Sequence, residues 1–232
     1  MVHSCEAEAL VQFFNLEFNS KVIVLEKLSI QFVGTPRTRS YDIYESIFKF
    51  IANHDTMAEL KLVDPTVPND SYKGHQRNDM EPSISSSILT FIHLTKLTII
   101  FKENSTKWNL GFIFLRAQKY LKEIWFEGLP INEVHTVILN NSGSLKSITV
   151  AGFLYSKKKV PFNFAYTKNC QKLVRISIKN IEVENTQELP NSVRILEINV
   201  PYVKNNTQWN LSPTLNRVRG KGNNFNKFHF IY

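Results

Sequence analysis

"LKEIWFEGLPINEVHTVILNNSGSLKSITVAGF" (121–153) states one phrase twice. Leu121, Ile124, Phe126 and Leu129 set an L-x-x-L-x-L-x-x-L rhythm, and Leu145, Ile148, Val150 and Phe153 repeat it 24 residues later. Gly128 and Gly152 fall at the same place in both copies. Inside each phrase apolar and polar residues alternate, the period of a short strand with one buried face. Between the copies Val134, Val137 and Ile138 recur at helical spacing, and Asn132 is the expected cap. The stretch reads as strand, turn, helix and return.

The phrase recurs on both sides. Leu25, Leu28 and Ile30 carry it, as do Met57, Leu60 and Leu62, and Leu94, Leu97 and Ile99. After the doubled pair come Leu173, Ile176 and Ile178, then Val193, Leu196 and Ile198, with a degenerate copy, "LNRVRG", from Leu215. Starts are separated by 32, 37, 27, 24, 28, 20 and 22 residues. Helical spacing is also visible between other copies, through Ile43, Ile47 and Phe50/Ile51 behind Ser40, through Ile84, Ile88 and Phe91, and through Leu110, Phe114 and Ala117. Pro161 and neighbouring β-formers weaken any helix over 156–170. A unit of this kind cannot bury its apolar side alone, so stacked units must share one core. The expected class is α/β, with a parallel sheet on one side and helices or extended chain on the other.

These phrases resemble leucine-rich repeats, and the 24–28-residue copies resemble the helix-containing kind found in ribonuclease-inhibitor-like and F-box-associated proteins. The resemblance covers roughly residues 20–220 and implies a solenoid of about seven to eight repeats, with the sheet lining a concave face. It departs from the family pattern after the strands. Val33, Lys102, Leu129, Phe153 and Ile181 stand where Asn or Cys is usual, so a buried polar ladder is expected to be mostly absent. "ELPNSVRILEINV" and "LSPTLNRVRG" resemble a shorter, helix-poor repeat, which places a change of geometry near residue 185. The whole chain, 1–232, reads as a single domain: a cap or partial repeat over 1–24, a polar, turn-rich mobile insertion over 64–83, and helix-poor repeats with a C-terminal cap over 185–232. No F-box is evident.

Composition is that of a globular chain, 43% apolar and 21% charged, with no apolar run near the ~20 residues of a membrane span. The two cysteines, Cys5 and Cys170, lie far apart, and no secretory signal peptide is recognisable. With five Asn-x-Ser/Thr sequons read as coincidental, this points to a cytoplasmic or nuclear protein. Net charge is +8, unevenly placed: residues 1–150 hold 15 Lys/Arg against 16 Asp/Glu, and residues 151–232 hold 13 against 4. No G-x-S-x-G, H-E-x-x-H, C-x-x-C or phosphate-loop motif is present, and the six histidines are scattered. Neither an enzyme, a metal nor a cofactor is indicated.

Function is expected at the strand positions between the leucines. The first such column reads Lys27, Glu59, Lys96, Glu123, Ser147, Arg175, Ile195, Arg217, alternating in sign over its first four members. Trp125 stands in the second column between Glu123 and Glu127, beside the small Thr149 and Ala151. Arg175, Lys179, Arg217, Arg219 and Lys221 make the same face basic toward the C-terminal end. Glu123, Trp125, Glu127, Thr149, Arg175, Lys179, Arg217 and Arg219 are the candidate contacts for a protein partner, an acidic one by charge. A broad face without a pocket is expected, which suits a protein-sized ligand better than a small molecule; no membrane partner is expected. The resemblance implies substrate recognition in a ubiquitin-ligase-type adaptor. The alternative is nucleic-acid binding by the basic last third, with Phe225, Phe228 and Phe230 near Lys221 and Lys227.

Overall fold

The computed structural model describes residues 25–31, 56–64, 91–101, 109–152, 160–199, 209–210, 217–221 and 230–231. Every recurrence of the phrase supplies one five-residue strand: β1 (Lys27–Gln31), β2 (Glu59–Val63), β3 (Lys96–Ile100), β4 (Glu123–Glu127) and β5 (Ser147–Ala151). A two-residue β6 (Phe162–Asn163) precedes β7 (Arg175–Lys179), and the short β8 (Val183–Glu184) precedes β9 (Ile195–Asn199). Then come β10 (Trp209–Asn210), β11 (Arg217–Lys221) and β12 (Phe230–Ile231). The long strands form one eight-stranded sheet in the order β1-β2-β3-β4-β5-β7-β9-β11. All pairings are parallel with no register offset, so Leu60 meets Leu97, Leu97 meets Ile124 and Ile124 meets Ile148.

The reason for this uniform register is the burial pattern. From β2 to β9 the second and fourth residues of every long strand are at most 3% exposed, as is the apolar residue two positions before the strand, from Met57 to Val193. A one-residue slip at any rung would turn both strand residues to water. The backbone repeats equally closely. The carbonyls of Glu26, Ala58, Thr95, Lys122, Lys146 and Val174 each accept from two successive N–H groups of the next rung. Past the strand ends, the N–H groups of Gly128, Gly152 and Asn180 donate to the carbonyls of Ala151, Lys179 and Asn199.

Behind the sheet, Phe114 and Leu115 of α1 (Asn109–Ala117) are buried, as are Ile131, Val134, Val137 and Ile138 of α2 (Ile131–Asn140). The Arg116 guanidinium binds both carboxylate oxygens of Glu133, at 2.9 and 2.5 Å, joining the two helices. Asn132 does not cap α2. The helix starts two residues earlier, at Ile131 behind Pro130, whose carbonyl accepts from Glu133 and Val134, leaving Asn132 in the first turn. In the next unit a strand pair, β6–β8, and a 3-10 turn at Phe164–Thr167 replace the helix. The change of geometry therefore arrives at about 162, one rung before the expected boundary near 185. Among the described residues of 185–232 there is no α-helix. Phe91, expected at helical spacing with Ile84 and Ile88, lies in a turn. The 1–24 cap, the helix over 40–54, the rest of the helix over 84–90 and nearly all of the 64–83 insertion lie outside the described residues.

Buried polar ties do exist, but before the strands rather than after them. Gln118 and Asn141 are each 1% exposed. The Gln118 amide donates to the Phe114 carbonyl and accepts from Phe91 N–H. The Asn141 amide accepts from Leu121 N–H at 2.8 Å and donates to the carbonyls of Gln118 and Val137. Each side chain thus closes backbone groups of its own unit and of a neighbour. The two matched glycines serve different ends: Gly128 adopts φ 75°, whereas a Cβ on Gly152 would come within 2.6 Å of Ile181 Cγ1.

Asn141→Ala removes three buried side-chain-to-backbone hydrogen bonds, although the Val137 carbonyl keeps the Asn141 N–H, and urea unfolding is expected to show a loss of about 3 kcal/mol. The adjacent Asn140→Ala, which removes one exposed bond to the Arg116 carbonyl, should cost no more than about 1 kcal/mol.

Candidate functional site

Strand alternation leaves the first, third and fifth residue of each rung on the open side of the sheet, in three columns. In the first column charge alternation becomes ion pairing: Lys27 Nζ lies 3.0 Å from Glu59, and Lys96 Nζ lies 3.6 Å from Glu123. Hydrogen bonding to Glu59 holds the Lys27 ammonium above its ordinary pKa. Farther along, the column rule breaks. Arg175 meets Ile195 in register, so its guanidinium reaches diagonally to Glu197 at 2.8 Å.

Trp125 is 46% exposed and stands over a floor of small side chains. Its registered neighbours are Thr98 and Thr149, and the next rung places Ser177 beside Thr149. Because β5 presents Ser147 and Thr149, and β7 presents Ser177, the surface sinks between Trp125 on one flank and Arg175, Lys179 and Glu197 on the other. The result is an open depression of about 270 Å³, also bordered by Lys96 and Glu123. This corrects the expectation of an unpocketed face: the concavity comes from residue size, not from a loop. Its volume lies at the lower edge of small-molecule sites and would take one or two side chains of a partner. Lys96 and Arg175 are matched by carboxylates, whereas Lys179 has no acidic partner among the described residues.

Five of the eight predicted contacts, Glu123, Trp125, Thr149, Arg175 and Lys179, border this depression together. Glu127 does not; it sits half-buried in the third column between Ile100 and Ala151. Arg217 and Arg219 are placed as strand positions, paired with Ile195 and Glu197. Lys96, Ser177 and Glu197 were not among the predicted contacts. Glu197 in particular is invisible to a column-by-column reading, since its partner lies on the diagonal.

Two titratable groups behind the sheet, His135 and Cys170, are held neutral by burial. His135 on α2 stacks on Tyr166 with ring centroids 4.1 Å apart, and its Nε2 accepts from Asn163 N–H at 3.1 Å. Burial lowers its pKa to about 4. Burial also pushes the Cys170 thiol up to about 11, the reverse of what a nucleophile needs. Among the described residues no three His, Cys, Asp or Glu side chains converge on a metal-sized site. No helix among them is long and apolar enough to cross a membrane. Comparison with family models, curated proteins and solved structures returned no match.

The folded-state pKa of His135 lies below that of the unfolded chain, so between pH 6.5 and about 4 the unfolded state binds the extra proton. Stability is accordingly full above pH 6.5 and falls as pH drops through that window. Protonation also abolishes the acceptor used by Asn163. The urea midpoint should decline from pH 7 to pH 5, and less steeply in His135→Gln, which keeps an acceptor but has no proton to gain. An NMR titration of His135 should show its midpoint below pH 5.

Proposed function

We propose that this chain is a leucine-rich-repeat solenoid that binds a protein partner, without catalysis, on the open face of its sheet. The recurrent burial of the L-x-x-L-x-L positions and the unbroken parallel register support the repeat reading. The single observation that carries the binding reading is Trp125, a large aromatic left half exposed over Thr149 and Ser177, with charged side chains at its rim. Exposed tryptophan in a desolvatable hollow ringed by polar groups is how binding hot spots are built. Lys179, a bordering cation with no carboxylate partner among the described residues, favours an acidic group on the partner. A reducing compartment, cytosol or nucleus, suits the free buried Cys170. By its resemblance the natural role is substrate recognition for a ubiquitin-ligase-type adaptor, and co-isolation of a Skp1-like subunit is the sign that would support it.

Affinity capture from the source cell, with Trp125→Ala and Arg175→Glu compared against wild type, tests the proposal. Loss of a hot-spot tryptophan should weaken capture of the cognate partner by about thirtyfold. Arg175→Glu should weaken it too, and Leu139→Ser, on an exposed position of α2, should not. Undiminished recovery by both face variants, each folded by circular dichroism, would remove the open face from the function.

A further inference from the structure

The edge where the strands begin carries a charge pattern unlike that of the face. The four turns leading into β4, β5, β7 and β9 (118–122, 141–146, 168–174 and 190–194) contain Lys119, Lys122, Lys146, Lys168, Lys172 and Arg194, and no Asp or Glu. Lys168 is bridged to Glu188, and the Arg194 guanidinium is bound by the carbonyls of Asn191 and Val193. Lys119, Lys122, Lys146 and Lys172 are exposed and have no acidic partner among the described residues. Lys146 N–H donates to the Lys122 carbonyl, and Val174 N–H to that of Lys146, so these side chains spring from adjacent rungs. Like charges on neighbouring rungs, ~4.8 Å apart, repel. One residue later the strands avoid this by pairing Lys27 with Glu59 and Lys96 with Glu123. At the edge the repulsion is left in place.

The same edge, with the turn before β3 included, exposes apolar side chains. Ile92, four residues before β3, is 62% exposed; Tyr120 is 48% and Val174 is 43% exposed. Half of the six large hydrophobic residues exposed among the described residues thus share one edge of the sheet with the four unpaired lysines. A phosphodiester chain could use the lysines and stack on Tyr120, but it gains nothing from an isoleucine and a valine. A bilayer surface uses all of them: lysines in the headgroup layer, tyrosine at its boundary, and aliphatic side chains below it.

We propose that this edge docks the protein on an anionic lipid surface, with Lys119, Lys122, Lys146 and Lys172 over the headgroups and Ile92, Tyr120 and Val174 entering the interface. Such binding is peripheral and reversible, and it leaves the open face, at right angles to the edge, available to a partner. It departs from the expectation of no membrane partner, because the residues concerned are brought together only by stacking the turns.

Sedimentation with phosphatidylcholine vesicles containing 30% phosphatidylserine tests this on the full chain. Wild type should bind these vesicles and not pure phosphatidylcholine. Each lysine near such a surface is worth about fivefold in partition, so Lys122→Glu/Lys146→Glu should lower binding at least twentyfold. Lys27→Glu/Lys61→Glu, which changes net charge equally at the far end of the face, should lower it less than threefold. Ile92→Ser/Val174→Ser, with charge unchanged, should lower it severalfold. The proposal is overturned by absence of binding to the anionic vesicles, by equal losses in the two charge-reversal variants, by insensitivity to Ile92→Ser/Val174→Ser, or by tighter binding of a single-stranded RNA oligonucleotide that competes the vesicles away.

Discussion

One carbonyl serving two amides is the contact on which the rest of the molecule depends. It occurs at Glu26, Ala58, Thr95, Lys122, Lys146 and Val174, each accepting from the residue that opens the next strand and from the one before it. Backbone groups buried in a sheet must be paired, and here each rung is paired only through its immediate neighbours. That locks every strand to one starting line. The starting line in turn places Met57, Leu94, Leu121, Leu145, Leu173 and Val193 in a single buried row. Shared register, shared core and aligned columns are therefore one constraint seen from three sides.

Parallel register also explains why the open face has a chemistry that an isolated strand lacks. Lys27 and Lys96 acquire partners because identical positions are brought level. The hollow beneath Trp125 exists because two consecutive rungs carry hydroxyl-sized side chains where their neighbour carries an indole. The exposed ion pairs contribute little to stability individually. Their larger effect is on the surface they leave: matched cations offer a partner no net attraction, so unmatched ones such as Lys179 set the preference.

How much of this was legible in the amino-acid sequence varies with the range of the interaction. The eight long strands were legible, because two-residue alternation is local and Leu97 and Ile99 say the same thing as Ile124 and Phe126; the two-residue strands β6, β8, β10 and β12 were not. The partners of the long strands were legible too, since copies of one phrase stack in register. Helix ends were less so: Asn132 looked like a cap, yet the chain turned at Pro130 instead. The polar ties of Gln118 and Asn141 were missed because they occupy different offsets from their strands and answer backbone groups 27 and 20 residues away. The diagonal reach of Arg175 to Glu197 depends on an isoleucine standing in the direct path. None of these leaves a mark on local periodicity.

The unequal lengths between strand starts, from 20 to 37 residues, acquire a meaning from the register. No strand is offset from its neighbour, so all of that variation is absorbed in the connections, and none reaches the sheet. Residues can be gained or lost behind the face at modest cost in loop entropy. A single insertion inside a strand would instead turn its buried side chains outward. The molecule therefore has a fixed front and an editable back, and its lineage could resize individual units without altering the surface they present.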